Sequence, residues 1–274
     1  MALAPEGRRP EIAFAASRRL PLASGEMKVV TWNVNGIRAR ELQVLELLDT
    51  HAPDVVCLQE LKAAPEQMPI SLAAPAGYAS YWHGHKGYSG VGLLLKTATF
   101  GETAGFSHPD FDHETRIVEA TTPKFSVASV YVPNGGKDYA AKLAFLEAMA
   151  GWARAAKDAG RALLVCGDLN VAPTDRDVHA KERKANVIGQ RPDERALLAK
   201  VIAEGLVDVG RALDPDNDEL FTYWAPWREM RKRNIGWRID FVLASAGLAK
   251  TATAARVYPG FGTSDHAPLV VDFG

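Results

Sequence analysis

An adjacent acid and imidazole, Asp265 and His266, come directly before PLVVDF, an apolar run that is predicted to form the last strand. Aspartate is common in turns because its side chain accepts hydrogen bonds from nearby backbone amides, so the pair alone is compatible with an ordinary turn. The same two side chains could also act together on a substrate at the end of a sheet. Polar residues elsewhere in the chain discriminate between these interpretations.

Other polar side chains also stand where predicted strands end. They are Asn33 and Asn35, then Gln59, Glu60 and Lys62, then Tyr131 and Asn134, and finally Asp168 and Asn170. Residues two apart in a strand point to the same face, so the two residues of the pair Asp168 and Asn170 can aim together. Asp240 lies inside the apolar run RIDFVLAS and needs a partner, because burying an unpaired charge is costly. So many strand ends of this kind are difficult to explain as turns.

Carboxylates and carboxamides that meet at strand ends would form a small, oxygen-rich, acidic pocket. Their mutual repulsion would raise their pKa values, and a hard divalent cation, Mg²⁺ before Zn²⁺, would remove that repulsion. Zinc is disfavoured further because Cys57 and Cys166 both lie in apolar runs and are expected to be buried. The histidines nearest to ligand spacing, His83 and His85, are predicted to be loop residues.

Short β-branched runs alternate with helical patterns, which predicts the elements that position these side chains. The predicted strands cover residues 28–33, 54–60, 90–96, 125–133, 161–168, 238–245 and 268–273. The predicted helices are ELQVLELLDTH, with Leu42, Leu45 and Leu48 as its apolar stripe, Asp138 to about Asp158, and Pro192 to Ala203. Strands this apolar must be covered on most faces, which predicts helices that sandwich the sheets of a single α/β domain.

Composition restricts the function without fixing it. The chain has 274 residues and a formal charge of −1, so any basic surface for a polyanion must be local. Two cysteines form no disulfide framework, which fits a cytosolic protein, and no apolar run reaches the ~20 residues that span a bilayer. Residues 1–26 contain four arginines and are interpreted as a loose tail or an upstream start before Met27, which leaves residues 27–274 as the domain.

Seven segments follow one another between Met27 and Phe273: TWNVNGIRAR, CLQELK, GYSGVGLLLK, YVPNGG, CGDLN, GWRIDFVLAS and SDHAPL. As a set they resemble the exonuclease III/apurinic-apyrimidinic (AP) endonuclease family, within the DNase I-like phosphodiesterases. The resemblance implies a four-layer α-β-β-α sandwich, in which two mixed sheets pack face to face with helices outside. It also implies an active site at one edge of that sandwich.

The resemblance further implies roles for the strand-end residues. The implied metal set is Asn33, Glu60, Asp168, Asn170, Asp265 and His266, and the implied catalytic set is Tyr131, Asp168, Asn170, Asp240 and His266. Glu60 matches the principal metal ligand, and Asp168 the aspartate that activates the attacking water with Asn170 beside it. His266 matches the histidine that touches the scissile phosphate, and Asp240 the aspartate that orients it.

Aromatic and basic side chains alternate between Phe221 and Asp240, a composition that suits base stacking beside phosphates. The family places here a pocket for a sugar without its base, walled by Tyr223 and Trp224, and such a nucleotide is cheap to flip out. The expected DNA-binding residues are Asn35, Lys62, Arg116, Asn134, Tyr223, Trp224 and Trp237, the last of these partly in the core. The segment DRDVHAKERKANVIGQ receives no assigned DNA contacts.

These observations predict a Mg²⁺-dependent DNA repair nuclease, with Mn²⁺ as a substitute cation. It would cut 5′ to abasic sites in duplex DNA and remove nucleotides from 3′ ends as a 3′-to-5′ exodeoxyribonuclease. We expect a monomer in the cytoplasm, associated with the nucleoid through DNA and not with a membrane. Two alternatives remain open: a lipid or inositol phosphate hydrolase of the same superfamily, and a DNA-binding module that lacks catalysis.

Overall fold

The computed structural model describes residues 26–101 and 105–274. All but the last residue of the predicted N-terminal tail therefore lies outside the described residues. Within them the strands are β1 (Met27–Asn33), β2 (Val55–Gln59), β3 (Tyr78–His85), β4 (Tyr88–Lys96), β5 (Gly105–Ser107), β6 (Ile117–Thr121), β7 (Ser126–Tyr131), β8 (Leu163–Asp168), β9 (Leu206–Asp208), β10 (Asp240–Ser245), β11 (Ala252–Val257) and β12 (Leu269–Phe273).

The helices vary widely in length. They are α1 (Glu41–His51), α2 (Ile70–Ala73), α3 (Thr97–Phe100), α4 (Tyr139–Asp158), α5 (Pro192–Ala203), α6 (Val209–Leu213) and α7 (Ala246–Ala249). Asp138 caps α4 by accepting a hydrogen bond from the backbone N–H of Ala141, and Pro192 stands at the start of α5, where its missing N–H costs nothing. None of the helices among these described residues is both long and apolar enough to cross a membrane.

The strands form two sheets of mixed direction, in the orders β11-β12-β1-β2-β4-β3 and β5-β6-β7-β8-β10-β9. In the first sheet β1 runs parallel to β2 and antiparallel to β12. In the second sheet β8 runs parallel to β7 and antiparallel to β10. Because parallel neighbours end at the same edge of a sheet, each sheet brings the ends of two strands together.

Three apolar layers hold the sandwich together, and strand alternation supplies them. Val29 of β1 packs between the two sheets, whereas its neighbour Val30 faces the outer layer under α1. On the other side, Phe145 and Met149 of α4 pack against the outer face of the second sheet. The predicted four-layer α/β sandwich of two packed mixed sheets is thereby confirmed.

Three details differ from the sequence prediction. The strands β3, β5, β6, β9 and β11 lie outside the seven predicted strands. Helix α1 forms, but its predicted apolar stripe is wrong at one end: Leu42 is 77% exposed, and Val44 and Leu47 are the fully buried positions. The local sequence cannot fix the rotation of a short helix that is apolar on several sides. His83 and His85 also lie in β3 and not in a loop, because β3 pairs along its length with β4.

Candidate active site

Polar ends of several strands meet at one edge of the sandwich. Asn33 ends β1 and Glu60 follows β2, while Tyr131 and Asp168 end the neighbouring strands β7 and β8. Antiparallel β10 begins at this edge, so its first residue, Asp240, stands opposite Asp168 in the ladder. The turn that holds Asp265 and His266 comes just before β12, on the same edge.

Strained turns aim these side chains into one place. The backbone N–H of Asn35 donates to Asn33 Oδ1 at 3.0 Å, and the N–H of Asn170 donates to Asp168 Oδ1 at 2.9 Å. Both asparagines adopt positive φ, 45° and 53°, a conformation that asparagine tolerates better than most residues. Glu60 also has φ 53°, in the sparsely populated region that concentrates at functional sites.

The Glu60 carboxylate is held on both oxygens. Oε1 accepts hydrogen bonds from the Tyr131 hydroxyl at 2.8 Å and from Asn33 Nδ2 at 3.1 Å, and Oε2 pairs with Lys62 Nζ at 2.9 Å. Burial would raise the pKa of Glu60, but the Lys62 ammonium lowers it below its ordinary value. Burial and Glu60 together raise the pKa of Tyr131, so its phenol stays protonated and donates.

His266 lies between two buried aspartates. Its Nδ1 is 2.8 Å from Asp240 Oδ2, and its Nε2 is 3.8 Å from Asp168 Oδ2. Burial alone would lower the pKa of His266, but Asp240 and Asp168 raise it to about 10, so the imidazole is charged at neutral pH. Burial raises the pKa of Asp168 to about 7, although His266 opposes the shift.

This arrangement places a base, Asp168, close to an acid, His266. A carboxyl whose pKa is about 7 suits a general base near neutral pH, and a charged imidazole can donate to a phosphate oxygen. Asp240 accepts a hydrogen bond from the Nδ1–H of charged His266 and thereby directs Nε2 toward Asp168 and the cleft. Asn33 Nδ2 donates to Asp168 Oδ2 at 2.9 Å and couples this pair to Glu60.

The donor set fits a hard divalent cation. Four carboxylates, Glu60, Asp168, Asp240 and Asp265, lie with only two cations, Lys62 and His266, in one hydrogen-bonded cluster, which leaves an excess of negative charge. Oxygen ligands of this kind are those that Mg²⁺ prefers. Glu60 and Asp265 could hold it, because Asp240 and Asp168 already bracket His266.

The asparagines are supports in this arrangement. Asn33 turns its Oδ1 to the backbone of Asn35 and its Nδ2 to two carboxylates. Asn35 Nδ2 donates to Asp265 Oδ1 at 2.7 Å, and its Oδ1 accepts from Lys62 Nζ at 2.5 Å. Asn170 Nδ2 donates to Val132 O at 2.9 Å. It also donates to Asp168 Oδ2 at 3.3 Å, so each of the three carboxamides helps to position a charged neighbour.

A cleft of about 460 Å³ opens above the cluster. The predicted site residues on its wall are Glu60, Tyr131, Asn134, Asp168, Asn170, Tyr223, Trp237, Asp265 and His266. The wall also contains Glu182, Ile188, Gly189 and Trp227, which the residue-by-residue prediction did not include. Trp227 is an exposed aromatic residue between Pro226 and Arg228, and this exposure is visible only in the folded chain.

The aromatic segment divides into wall and core. The Tyr223 ring lies 4.8 Å from the His266 imidazole, and its backbone bridges to both Trp237 and His266. Trp237 is half-buried against Val178, as expected for a residue partly in the core. Trp224 is only 2% exposed and does not line the cleft, so the structure places one of the two predicted walls elsewhere.

Arg116 packs against Tyr131 on the side away from the cleft. Its guanidinium lies 4.8 Å from the Tyr131 ring centroid and donates to the Tyr88 hydroxyl and the Glu114 carboxylate, both at 2.9 Å. The residue is buried and does not line the main cleft. Its position therefore favours orientation of Tyr131, whereas the side chains of Lys62 and Asn134 keep exposed surface.

Sequence reasoning missed Lys142. Its side chain is 0% exposed, pairs with Glu194 Oε2 at 2.5 Å and donates to the backbone carbonyl of Asn170 at 2.7 Å. Glu194 in turn accepts from the backbone N–H of Gly189, on the wall of the cleft. A signal existed, because Lys142 lies three residues before Phe145 on the buried face of α4.

A family model described as Endonuclease/Exonuclease/phosphatase family matches residues 30–266, which include all the cluster residues. The chain belongs to this family. The match includes strands of both sheets and ends just before β12, so the shared unit includes the polar edge of the sandwich. The family resemblance that the sequence motifs suggested is confirmed.

Individual relatives are similar along most of the chain. The chain is 32% identical over 266 residues to DNA repair nuclease APEX1 of Danio rerio, covering 90% of this chain and 82% of the relative. It is 31% identical over 252 residues to an exodeoxyribonuclease of Bacillus subtilis, covering 89% and 98%. It spans only 37% of Recombination repair protein 1 of Drosophila melanogaster, at 32% identity.

The fold comparison agrees with the sequence comparison. The structure of an AP endonuclease from Archaeoglobus fulgidus superposes with a TM-score of 0.80 at 30% identity and covers 90% of this chain and 99% of that chain. Identity at this level leaves the loops around the cleft free to differ.

Proposed function

We propose that this chain is a Mg²⁺-dependent DNA repair nuclease that hydrolyses phosphodiester bonds in duplex DNA. It cuts 5′ to abasic sites and removes nucleotides from 3′ ends as a 3′-to-5′ exodeoxyribonuclease. The names of the relatives, a DNA repair nuclease, an exodeoxyribonuclease and an AP endonuclease, support this class of enzyme. Mn²⁺ is proposed as a substitute cation, and a cytoplasmic, DNA-associated monomer as the working form.

One observation carries the proposal: a proton acceptor, Asp168, and a proton donor, charged His266, lie side by side. His266 Nε2 is 3.8 Å from Asp168 Oδ2. A phosphate above this gap would receive a hydrogen bond from charged His266 on a non-bridging oxygen. Asp168 would accept the proton of the attacking water, a role worth ~10²–10⁴-fold in rate. Asp240 keeps the imidazole oriented throughout.

Glu60 and Asp265 would hold the cation, which supplies charge neutralisation at the phosphate and the leaving oxygen. The side chain of Asn170 donates to Val132 O, and its backbone N–H donates to Asp168 Oδ1. Asn170 is therefore held beside the base, where it can position the attacking water. Tyr223 and the half-buried Trp237 line the cleft beside His266 and supply apolar walls for a sugar without its base. An abasic nucleotide loses no base stacking on entry, so it is the nucleotide that this cleft admits at least cost.

The test is incision of a labelled duplex that carries one tetrahydrofuran abasic analogue, with Mg²⁺ and with EDTA. We expect a single cut on the 5′ side of the analogue with Mg²⁺, and no product with EDTA. Two matched duplexes without the analogue measure the exonuclease activity separately. One has blunt 3′ ends and the other has recessed 3′ ends. Cleavage that persists in EDTA, or intact DNA alongside hydrolysis of an inositol phosphate, would refute the proposal.

A further inference from the structure

A second group of metal-ligand side chains lies away from the cleft. His83, His108 and Asp112 each offer one ligand atom, and these three atoms lie within 4.8 Å of one another. None of the three residues lines the proposed catalytic cleft. The sequence prediction against zinc used the oxygen-rich acidic pocket, the buried cysteines and the spacing of neighbouring histidines. It could not detect two histidines that the fold brings together from positions 25 residues apart.

The group sits on the seam where the edges of the two sheets meet. His83 lies on β3, one edge strand of the first sheet, and His108 directly follows β5, one edge strand of the second. The two imidazoles stack with centroids 4.6 Å apart and planes at 8°, next to the stacked pair Tyr81 and Phe106 at 5.5 Å. Along the seam, the aromatic pair Tyr81 and Phe106 is thus followed by the imidazole pair His83 and His108.

Asp112 is already oriented as a ligand. Its Oδ1 accepts hydrogen bonds from the backbone N–H groups of Arg116 and Ile117, at 2.8 and 3.0 Å. Its Oδ2 faces His83 Nε2 at 2.7 Å. A carboxylate whose one oxygen is fixed by backbone donors and whose other oxygen faces an imidazole has the outer-shell support that metal ligands require.

We propose that His83, His108 and Asp112 form a zinc site that joins the edges of the two sheets. Two imidazoles with one carboxylate suit a divalent transition ion, and three protein ligands leave a fourth tetrahedral position for water. Ligand atoms of tetrahedral zinc lie about 3.3 Å apart, so the His83–Asp112 contact opens slightly and His108 swings inward. Exposed His108 has room for this rotation.

The site is independent of the proposed nuclease function, because its effect is on the sheet edges. Bound metal would hold Asp112, which anchors Arg116 and the first residue of β6, Ile117. The expected consequence is higher stability and not a new reaction. Zinc in a hundredfold excess over its Kd should raise the Tm by ~5–10 °C.

The experiment is calorimetric titration of the metal-stripped full chain with Zn²⁺ in a buffer that contains excess Mg²⁺, with zinc content measured after dialysis. Wild type is compared with His108→Ala and Asp112→Asn, and with His85→Ala as the control, because His85 lies on the strand of His83 but outside the proposed site. Asn at 112 retains an acceptor for the two backbone N–H groups, so the loop is expected to fold. Zinc bound in the acidic cleft is common to all four proteins and cancels in the comparison.

We expect both ligand variants to lose one zinc equivalent, or to weaken its Kd about a hundredfold or more, and to lose the Tm increase. His85→Ala should keep both. Equal zinc content and equal Tm increases in wild type and His108→Ala would overturn the proposal. So would a wild-type chain that binds no zinc beyond what the acidic cleft retains in His108→Ala.

Discussion

The two halves of the sandwich have the same topology and different chemistry. In each sheet a central strand pairs parallel with one neighbour and antiparallel with the other, as β1 does in the first and β8 in the second. Each of these strands ends in a residue whose side chain accepts from the N–H of an asparagine two positions later, Asn33 to Asn35 and Asp168 to Asn170. One backbone design therefore occurs twice at the active edge.

The side chains make the halves unequal. In the first half, β1 ends in a neutral carboxamide, Asn33. In the second half, β8 ends in a carboxylate, Asp168, which accepts a hydrogen bond from Asn33 Nδ2. A cation also holds the carbonyl after each turn: Arg40 donates to Asn35 O at 3.1 Å, while buried Lys142 donates to Asn170 O at 2.7 Å. The comparison indicates that backbone geometry builds the edge, and that the position of one charge decides where the base lies.

Asp168→Asn makes the two turns alike and should have the largest effect. Asn retains the acceptor for the Asn170 N–H but cannot take a proton, so we expect a loss of ~10²–10⁴-fold in kcat on the abasic duplex. DNA binding should persist, measured by fluorescence anisotropy in EDTA. A kcat within about tenfold of wild type would remove Asp168 as the base.

Lys142→Met tests the buried cation of the second half. It leaves Glu194 buried without its partner, which should lower the free energy of unfolding by about 3–5 kcal/mol. Urea denaturation measures this, and the double variant Lys142→Met/Glu194→Gln should recover part of the loss. Arg40→Met is the matched change in the first half, and it should cost only about 1 kcal/mol because Arg40 is partly exposed. Equal losses in the two single variants would contradict the asymmetry.

Asp177→Asn tests the ion network that holds the long loops of the second half. Asp177 Oδ1 pairs with Arg238 Nε at 2.7 Å and with Arg211 at 3.0 Å. Burial would raise the pKa of Asp177, but Arg238 lowers it below its ordinary value. An acid whose pKa is lower in the folded state than in the unfolded state stabilises the fold above its unfolded pKa. That stability is lost as the pH falls through the folded pKa.

The wild type should therefore lose part of its free energy of unfolding as the pH falls below about 4, and Asp177→Asn should lose less over that range. At pH 7 the variant should be less stable by about 3 kcal/mol, because two arginines lose a buried partner. Denaturation at pH 7 and in acid measures both differences. A pH dependence identical to wild type would show that Asp177 is not the titrating group.

Asn35→Asp should have the smallest effect and moves charge toward the first half. The new carboxylate would face Asp265, now 2.7 Å from Asn35 Nδ2, and would be tolerated best with a cation between them. We expect the Mg²⁺ concentration for half-maximal incision to fall by about tenfold, since charge count tunes such sites. An unchanged or higher requirement would show that Asn35 lies outside the reach of the cation.

Much of the site was predictable because polar residues at strand ends are visible in the chain. Asp240 was identified from one carboxylate in an apolar run, and the structure supplies its partner in His266. Trp224 shows the limit: an aromatic–basic composition does not say which ring faces the cleft, and this one packs with Phe221 and Met230. Strand β3 was missed because its alternation is weak and its mixed residues are only half-buried.

The order of apolar runs and polar strand ends by itself predicted an α/β domain with helices over its sheets and an acidic pocket at the strand ends, because hydrophobic periodicity and residue polarity are local properties of the chain. Tertiary structure alone decided which distant groups became partners. Lys142 reaches Asn170 across 28 positions, and His83 meets Asp112 across 29. The reason is physical: burial and charge pairing depend on every segment packed around a group, and the sequence near that group does not contain those segments.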